Sequence, residues 1–257
     1  MIIKKSPAEI EAMEAAGAVH TKVLELLARK VRPGVTTKQI DQAAEKFIRS
    51  QGATPAFKGY RGFPGSICAS PNHMVVHGIP GPFKLQRGDV ISIDVGVIKD
   101  GWVADGAITL PVGDVSPVAS KLLDVTRESL MRAVDQCWPG KRLGDIGAAV
   151  QDHVEGNGFS VVRSLVGHGI GRSMHEEPQI PNYGTAGKGL PLEEGMVLAI
   201  EPMTTAGRHG VRMGDDGWAI YSQDGSLTAH FEFTVAVTAD GPRIITPWHE
   251  VLALAAA

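Results

Sequence analysis

Leu85-Gln86-Arg87-Gly88-Asp89-Val90-Ile91-Ser92-Ile93-Asp94 returns 107 positions later as Leu192-Glu193-Glu194-Gly195-Met196-Val197-Leu198-Ala199-Ile200-Glu201. Each stretch places a glycine turn before alternating apolar residues and then an acid, the pattern of a strand ending in a carboxylate. The correspondence extends outward. Upstream, Pro33-Gly34, Ile40, Ala43, Ile48 and Gly52 match Pro139-Gly140, Ile146, Ala149, Val154 and Gly158 at a spacing of 106. Downstream, Asp105, Ile108 and Leu110 match Glu232, Val235 and Val237 at a spacing of 127. The 20 extra residues fall between Glu201 and Glu232, where Gly- and Asp-rich turns around Trp218 to Ser226 predict an inserted hairpin. Three matches in one order, two of them pairing acid with acid, predict two similar α+β halves, about 1–115 and 116–250, in one domain over 1–257.

The flanks read as helices. Ser6 caps a first helix, with Pro7 in its first turn and Glu9 closing a capping box. Its apolar stripe runs through Met13, Ala16, Val19, Val23 and Leu27, and Val31-Arg32-Pro33-Gly34 ends it. A second helix spans about Thr37 to Gln51. Asp114 to Pro117 turns between the halves and leads into a third, from about Val118 to Val134.

Composition excludes several classes of protein. A net charge of −3 argues against nucleic acid or an anionic membrane as main partner. Two cysteines, Cys68 and Cys137, cannot build a disulfide framework. The first residues lack a signal-peptide apolar run, and nothing reaches the length of a membrane span, so a cytoplasmic protein is expected.

Four acids stand in or beside the most apolar strands: Asp94 within Val90–Ile98, Asp105 before Ala107-Ile108-Thr109-Leu110, Glu201 after Ile200, and Glu232 between Phe231 and Phe233. A single such acid would ordinarily face solvent. Two pairs at matching positions in two halves converge instead. Four buried carboxylates repel one another and are costly to desolvate unless cations neutralise them. Two divalent ions balance their charge. A neutral imidazole is available in Gly167-His168-Gly169-Ile170-Gly171, where flanking glycines let backbone approach closely. Oxygen donors with one imidazole suit Mn, Fe or Co and admit Zn. His77 and His175, on Gly- and Pro-rich stretches, can donate hydrogen bonds to substrate or to a developing oxyanion. His73, His209 and His230 carry no supporting pattern.

Other motifs fail. His175-Glu176 has Gln179 where a zincin needs its second histidine. Gly167-x-Gly169-x-Gly171 has the wrong spacing for a dinucleotide fingerprint, and no Gly-x-Ser-x-Gly elbow occurs.

Taken together, Val76-His77-Gly78-Ile79-Pro80, Asp94-Val95-Gly96, Gly167-His168-Gly169-Ile170-Gly171, His175-Glu176-Glu177-Pro178, Ile200-Glu201-Pro202-Met203 and Phe231-Glu232 resemble the type I methionine aminopeptidases. So does the eleven-residue step from Asp94 to Asp105. The resemblance covers nearly the whole chain in order. It implies the pita-bread fold, two pseudo-twofold-related α+β halves around a curved, mostly antiparallel sheet. It implies that Asp94, Asp105 and Glu232 hold one metal, and Asp105, His168, Glu201 and Glu232 the other. By the same likeness, an activated water attacks the first peptide carbonyl and Glu201 carries its proton toward the leaving amine. His175 would stabilise the oxyanion, His77 would bond substrate near the scissile amide, and Tyr60, Phe63, Cys68 and Trp218 would line a methionine pocket. Implied substrates are N-terminal Met peptides and nascent chains with a small second residue, met near the ribosome. A monomer is the default.

Three residues, at two places, depart from the family pattern. Gly106 and Ala107 follow Asp105 where a small hydroxyl or thiol residue and then Ser are usual, and Phe233 follows Glu232 where His is common. Each removes a side chain that could steady a ligand. An X-Pro-cleaving peptidase of the same fold is the alternative, although such relatives generally carry a large N-terminal domain and only about 75 residues precede His77 here. A weakly active interaction protein on this fold is a second.

Overall fold

Helix starts follow their capping chemistry in the computed structural model, which describes residues 1–250. Residues 251–257, the end of the expected single domain, lie outside the described residues. In α1 (Pro7–Lys30), the Ser6 hydroxyl accepts from the Glu9 N–H and the Glu9 carboxylate accepts from the Ser6 N–H. Thr36 and Gln39 repeat that box at α2 (Thr37–Ser50), which ends one residue before the predicted Gln51. The first half continues with β1 (Thr54–Pro55), β2 (Cys68–Pro71), β3 (Met74–Val76), β4 (Val90–Lys99) and β5 (Trp102–Pro111). The second opens with α3 (Pro117–Val134), capped by Ser116, and α4 (Leu143–Gly156). Short strands β6 (Ser160–Val161), β7 (Gly167–Gly169), β8 (Glu176–Ile180), β9 (Val197–Ile200) and β10 (Met203–Thr205) follow. The predicted inserted hairpin is β11 (Val211–Met213) with β12 (Ile220–Ser222). The described chain then forms β13 (Thr228–His230), β14 (Phe233–Thr238) and β15 (Gly241–Ile244).

Among the described residues all the strand pairings are antiparallel. β4 and β5 form a long hairpin over Asp100-Gly101, both with positive φ, as a two-residue turn between right-twisted strands requires. One expectation needs correction here. The repeat alone ends the strand at Asp94, but the strand runs on to Lys99, one residue past the predicted apolar stretch Val90–Ile98, because pairing with β5 continues to that turn. In the second half the expectation holds: β9 stops at Ile200, and Glu201 lies just beyond its pairing with Phe233 on β14.

The halves join where β5 meets the start of β14. The Glu232 N–H donates to the Ala107 carbonyl at 2.9 Å, and Asp105 exchanges bonds with the Thr234 hydroxyl at 2.8 and 3.0 Å. On the outer side α1 packs on β4 and β5, and α3 packs on α4, β10 and β13. One apolar cluster runs through both halves, including Ile93 and Val95 from β4 with Leu198, Ile200 and Val235 from β9 and β14. Among the described residues no helix is long and apolar enough to cross a membrane.

Candidate metal centre and substrate pocket

The hairpin register fixes the first two acids. Asp94 lies opposite Ala107 and Asp105 opposite Gly96, so alternation puts both acids on one face, as diagonal neighbours. Cys68 on β2 lies directly across from Asp94, on that same face. In the second half, one register step beyond the Ile200–Phe233 pair brings Glu201 level with Glu232. The backbone bond between Glu232 and Ala107 then sets the two acid pairs against each other.

His168 enters from β7, which lies between β8 and β9. Its flanking glycines are required by packing: a Cβ at Gly167 would collide with the Ala199 carbonyl, and one at Gly169 with the Glu177 carbonyl. The His168 Nδ1 lies 2.9 Å from the Gly169 carbonyl. A carbonyl only accepts, so Nδ1 carries the proton and Nε2 keeps its lone pair. That Nε2 faces Asp105 Oδ2 at 4.0 Å and Glu201 Oε1 at 3.8 Å.

The electrostatics call for cations. Asp94, Asp105 and Glu232 are 9, 4 and 2% exposed. Burial, reinforced by the neighbouring carboxylates, pushes Asp94 and Glu232 well above the usual carboxylate range. Burial and Glu201 push Asp105 up to about 8. Asp94 Oδ1 and Glu232 Oε1 have no hydrogen-bond partner among the described residues. Asp105, His168 and Glu232 each offer one ligand atom within 4.8 Å of the others. Orphaned oxygens beside a lone-pair nitrogen fit divalent ions, which would replace the protons these acids otherwise hold.

A pocket of about 160 Å³ opens over this cluster, lined by Phe57, Tyr60, Arg61, Phe63, Cys68, His77, Asp94, Asp105, His168, His175, Glu201, Trp218 and Glu232. The structure thus brings the eleven residues singled out by sequence to one cavity, and adds Phe57 and Arg61. Phe63 and Trp218 meet edge to face at 5.1 Å, and the turn carrying Trp218 is held by Asp216, which accepts its N–H. His77 sits at φ 59, a left-handed conformation that aims its ring off the end of β3.

His175 stacks on Tyr60 and tilts against His168, with the Tyr60 hydroxyl 2.9 Å from its Nδ1. Loss of water in the pocket, and then the His168 ring, push the His175 pKa down to about 4, so it is neutral at pH 7. With the phenol donating to Nδ1, Nε2–H is free to donate. The next residue anchors the loop. Glu176 pairs with Lys5 at 2.6 Å, their side chains 7 and 2% exposed, and its other oxygen accepts from the Arg172 and Ser173 N–H groups.

Packing accounts for Gly106 and Phe233 among the departures from the family pattern, and nothing in the structure explains Ala107. A Cβ at Gly106 would lie 2.7 Å from the His20 ring, whose Nε2 bonds the Gly106 carbonyl at 3.1 Å. Phe233 stacks on Trp248 at 4.6 Å, and the Trp248 Nε1–H holds the Glu232 carbonyl at 2.8 Å. Sequence reasoning missed His20, Lys5, Trp248 and His230, each placed near the site by contacts distant in the chain.

A two-half α+β body with carboxylates and one imidazole converging on a buried cluster defines a metal-dependent hydrolase. The chain belongs to metallopeptidase family M24, whose profile matches residues 11–239. It is 50% identical over 246 residues to the methionine aminopeptidase of Clostridium perfringens, covering 96% of this chain and 99% of that one. Methionine aminopeptidase 1 of Bacillus subtilis matches at the same identity and coverage. The crystal structure of methionine aminopeptidase from Rickettsia prowazekii superposes with a TM-score of 0.94 at 43% identity, covering 96% of this chain and all of that one. Prolidase from Pyrococcus furiosus shares the fold, with a TM-score of 0.78 at 23% identity, covering 95% of this chain and 65% of that one.

Proposed function

We propose that this chain is a two-metal aminopeptidase that removes methionine from the N-termini of peptides and new chains, preferring a small second residue. The observation that carries the reading is the convergence of Asp94, Asp105, His168, Glu201 and Glu232 at the floor of a pocket walled by Tyr60, Phe63, Cys68 and Trp218. Asp94, Asp105 and Glu232 would hold one ion, and Asp105, His168, Glu201 and Glu232 the second. Bound there, Co, Mn, Fe or Zn would polarise the scissile carbonyl and supply a nucleophilic water at neutral pH.

The protein's own groups do the rest. Glu201, the least buried of the four acids, reaches the pocket and carries a proton toward the leaving amine. The His175 Nε2–H donates to the oxyanion without bringing a net charge, because the ring is neutral. His77 bonds the substrate beside the scissile amide. The aromatic walls take an unbranched thioether side chain and exclude water. Burial holds the Cys68 thiol protonated, so it lines the pocket as a small apolar residue.

A peptide panel tests this reading. Chelated protein reloaded with Co or Mn should release methionine from Met-Ala-Ser, act far more slowly on Met-Lys-Ser, and leave Ala-Pro-Ser intact. Cleavage of Ala-Pro-Ser in preference would move the chain to the X-Pro peptidases.

A further inference from the structure

His230 ends β13 two residues before Glu232, and it is 1% exposed. Its main chain is fixed: its N–H donates to the Thr109 hydroxyl at 2.8 Å, and its carbonyl accepts from that hydroxyl at 2.8 Å. The ring is not. Neither ring nitrogen has a hydrogen-bond partner among the described residues, a costly state for a buried imidazole. Nε2 points at the acids, 3.6 Å from Glu201 Oε2 and 3.9 Å from Glu232 Oε2. Glu201 Oε1 faces His168 Nε2 instead. The Glu201 carboxylate therefore lies between two imidazoles, one at each oxygen. Its main chain is held from a third side by the Asn182 Nδ2, which donates to its carbonyl at 2.9 Å.

We propose that His230 is a positioning residue for Glu201, donating Nε2–H to Oε2 and so leaving Oε1 to face the ion shared with His168. This rests on the metal-site reading above. A gap of 3.6 Å is longer than a hydrogen bond, and a small rotation of either side chain closes it. A bond from Nε2–H to Oε2 gives the orphaned ring its partner. A carboxylate held this way presents one oxygen to metal and has its proton-carrying orientation set by the other.

The test compares the full chain with His230→Leu, His230→Gln and Glu201→Gln, using Co(II) competition against a chelator, the visible absorption of the bound Co(II), and thermal unfolding of chelated protein. His230→Leu should lose about 10- to 100-fold in affinity for one of two ions and change the Co(II) spectrum. Chelated His230→Leu should unfold at or above the wild-type temperature, since an unpartnered buried polar group is gone; a merely structural histidine would lower it. His230→Gln, which keeps an N–H donor, should recover much of the affinity. Wild-type affinity and spectrum in His230→Leu, with Glu201→Gln impaired, would overturn this proposal alone. Unchanged Co(II) binding in both variants would overturn the site reading beneath it. An affinity loss matched by an equal loss of chelated-protein stability would also reject the positioning role.

Discussion

Glu201 and His168 sit at the chemical centre of the account, and their replacement separates function from fold. Glu201→Gln should lower methionine release by about a thousandfold, the scale of a lost proton carrier and metal ligand together. His168→Ala should do at least as much, while both chelated variants unfold within a few degrees of wild type. Steady-state kinetics beside thermal unfolding checks this. A second residue-scale prediction concerns His20. Burial pushes its pKa down to about 4, so the folded protein binds fewer protons at this site than the unfolded chain. The stability that neutrality preserves is complete above the unfolded value near 6.5 and is lost as pH falls toward 4, on the order of 3 kcal/mol in all. Urea titrations between pH 7 and 4 should show His20→Leu gaining on wild type in stability as pH falls. The four acids among the proposed ligands were legible because carboxylates in or beside apolar strands violate the usual pattern, and His168 because glycines flank it. His230 was not. A histidine in an alternating strand breaks no rule, and its closeness to Glu201 arises only when β13 pairs with β10.

At the scale of elements, the loop after β7 carries His175 and depends on a contact made across most of the chain. Lys5, just before α1, is buried against Glu176. Lys5→Met should cost about 3 kcal/mol, because it leaves a carboxylate buried without its partner. It should also raise KM or lower kcat by loosening the His175 loop, readable in the same kinetic assay. Lys5→Arg should recover part of both. Helix starts were readable because capping is local: Ser6 with Glu9 and Thr36 with Gln39 each lie within four residues. Strands β1, β6 and β7 were not readable as strands. They are two or three residues long, and their partners stand tens of residues away. The span of β4 was legible, since the apolar stretch Val90–Ile98 falls one residue short of its end at Lys99.

Across the whole molecule, the internal repeat explains why the acids meet. Two halves joined through Ala107 and Glu232 put four carboxylates at one junction, and the fold then depends on what neutralises them. Without metal the buried acids hold protons at pH values where the unfolded chain has released them, Asp105 up to about 8. At these carboxyls the folded protein then binds more protons than the unfolded chain between about pH 4 and 8, while the neutral His20 and His175 bind fewer below about 6.5. The chelated protein should therefore lose stability as pH rises from about 6.5 to 8, where the carboxyls are unopposed. Divalent ions should reverse the trend, with a rise in unfolding temperature that grows with pH. Thermal scans from pH 5 to 8, with chelator and with Co, would show it. The repeat made this junction legible in the sequence, since acid aligned with acid in both halves. The pocket walls were less so, because aromatic residues at Tyr60, Phe63 and Trp218 read equally well as core until the inserted hairpin is placed.

In the proposed mechanism two ions on these five residues drive release of N-terminal methionine. This is tested most directly by titrating chelated protein with Co(II) while measuring bound metal and methionine freed from Met-Ala-Ser in the same samples. Without metal there should be no release; activity should rise with bound Co(II), and binding should saturate at two ions per chain. Methionine release by fully chelated protein, or Co(II) binding that Asp105→Asn and Glu232→Gln leave untouched, would contradict it.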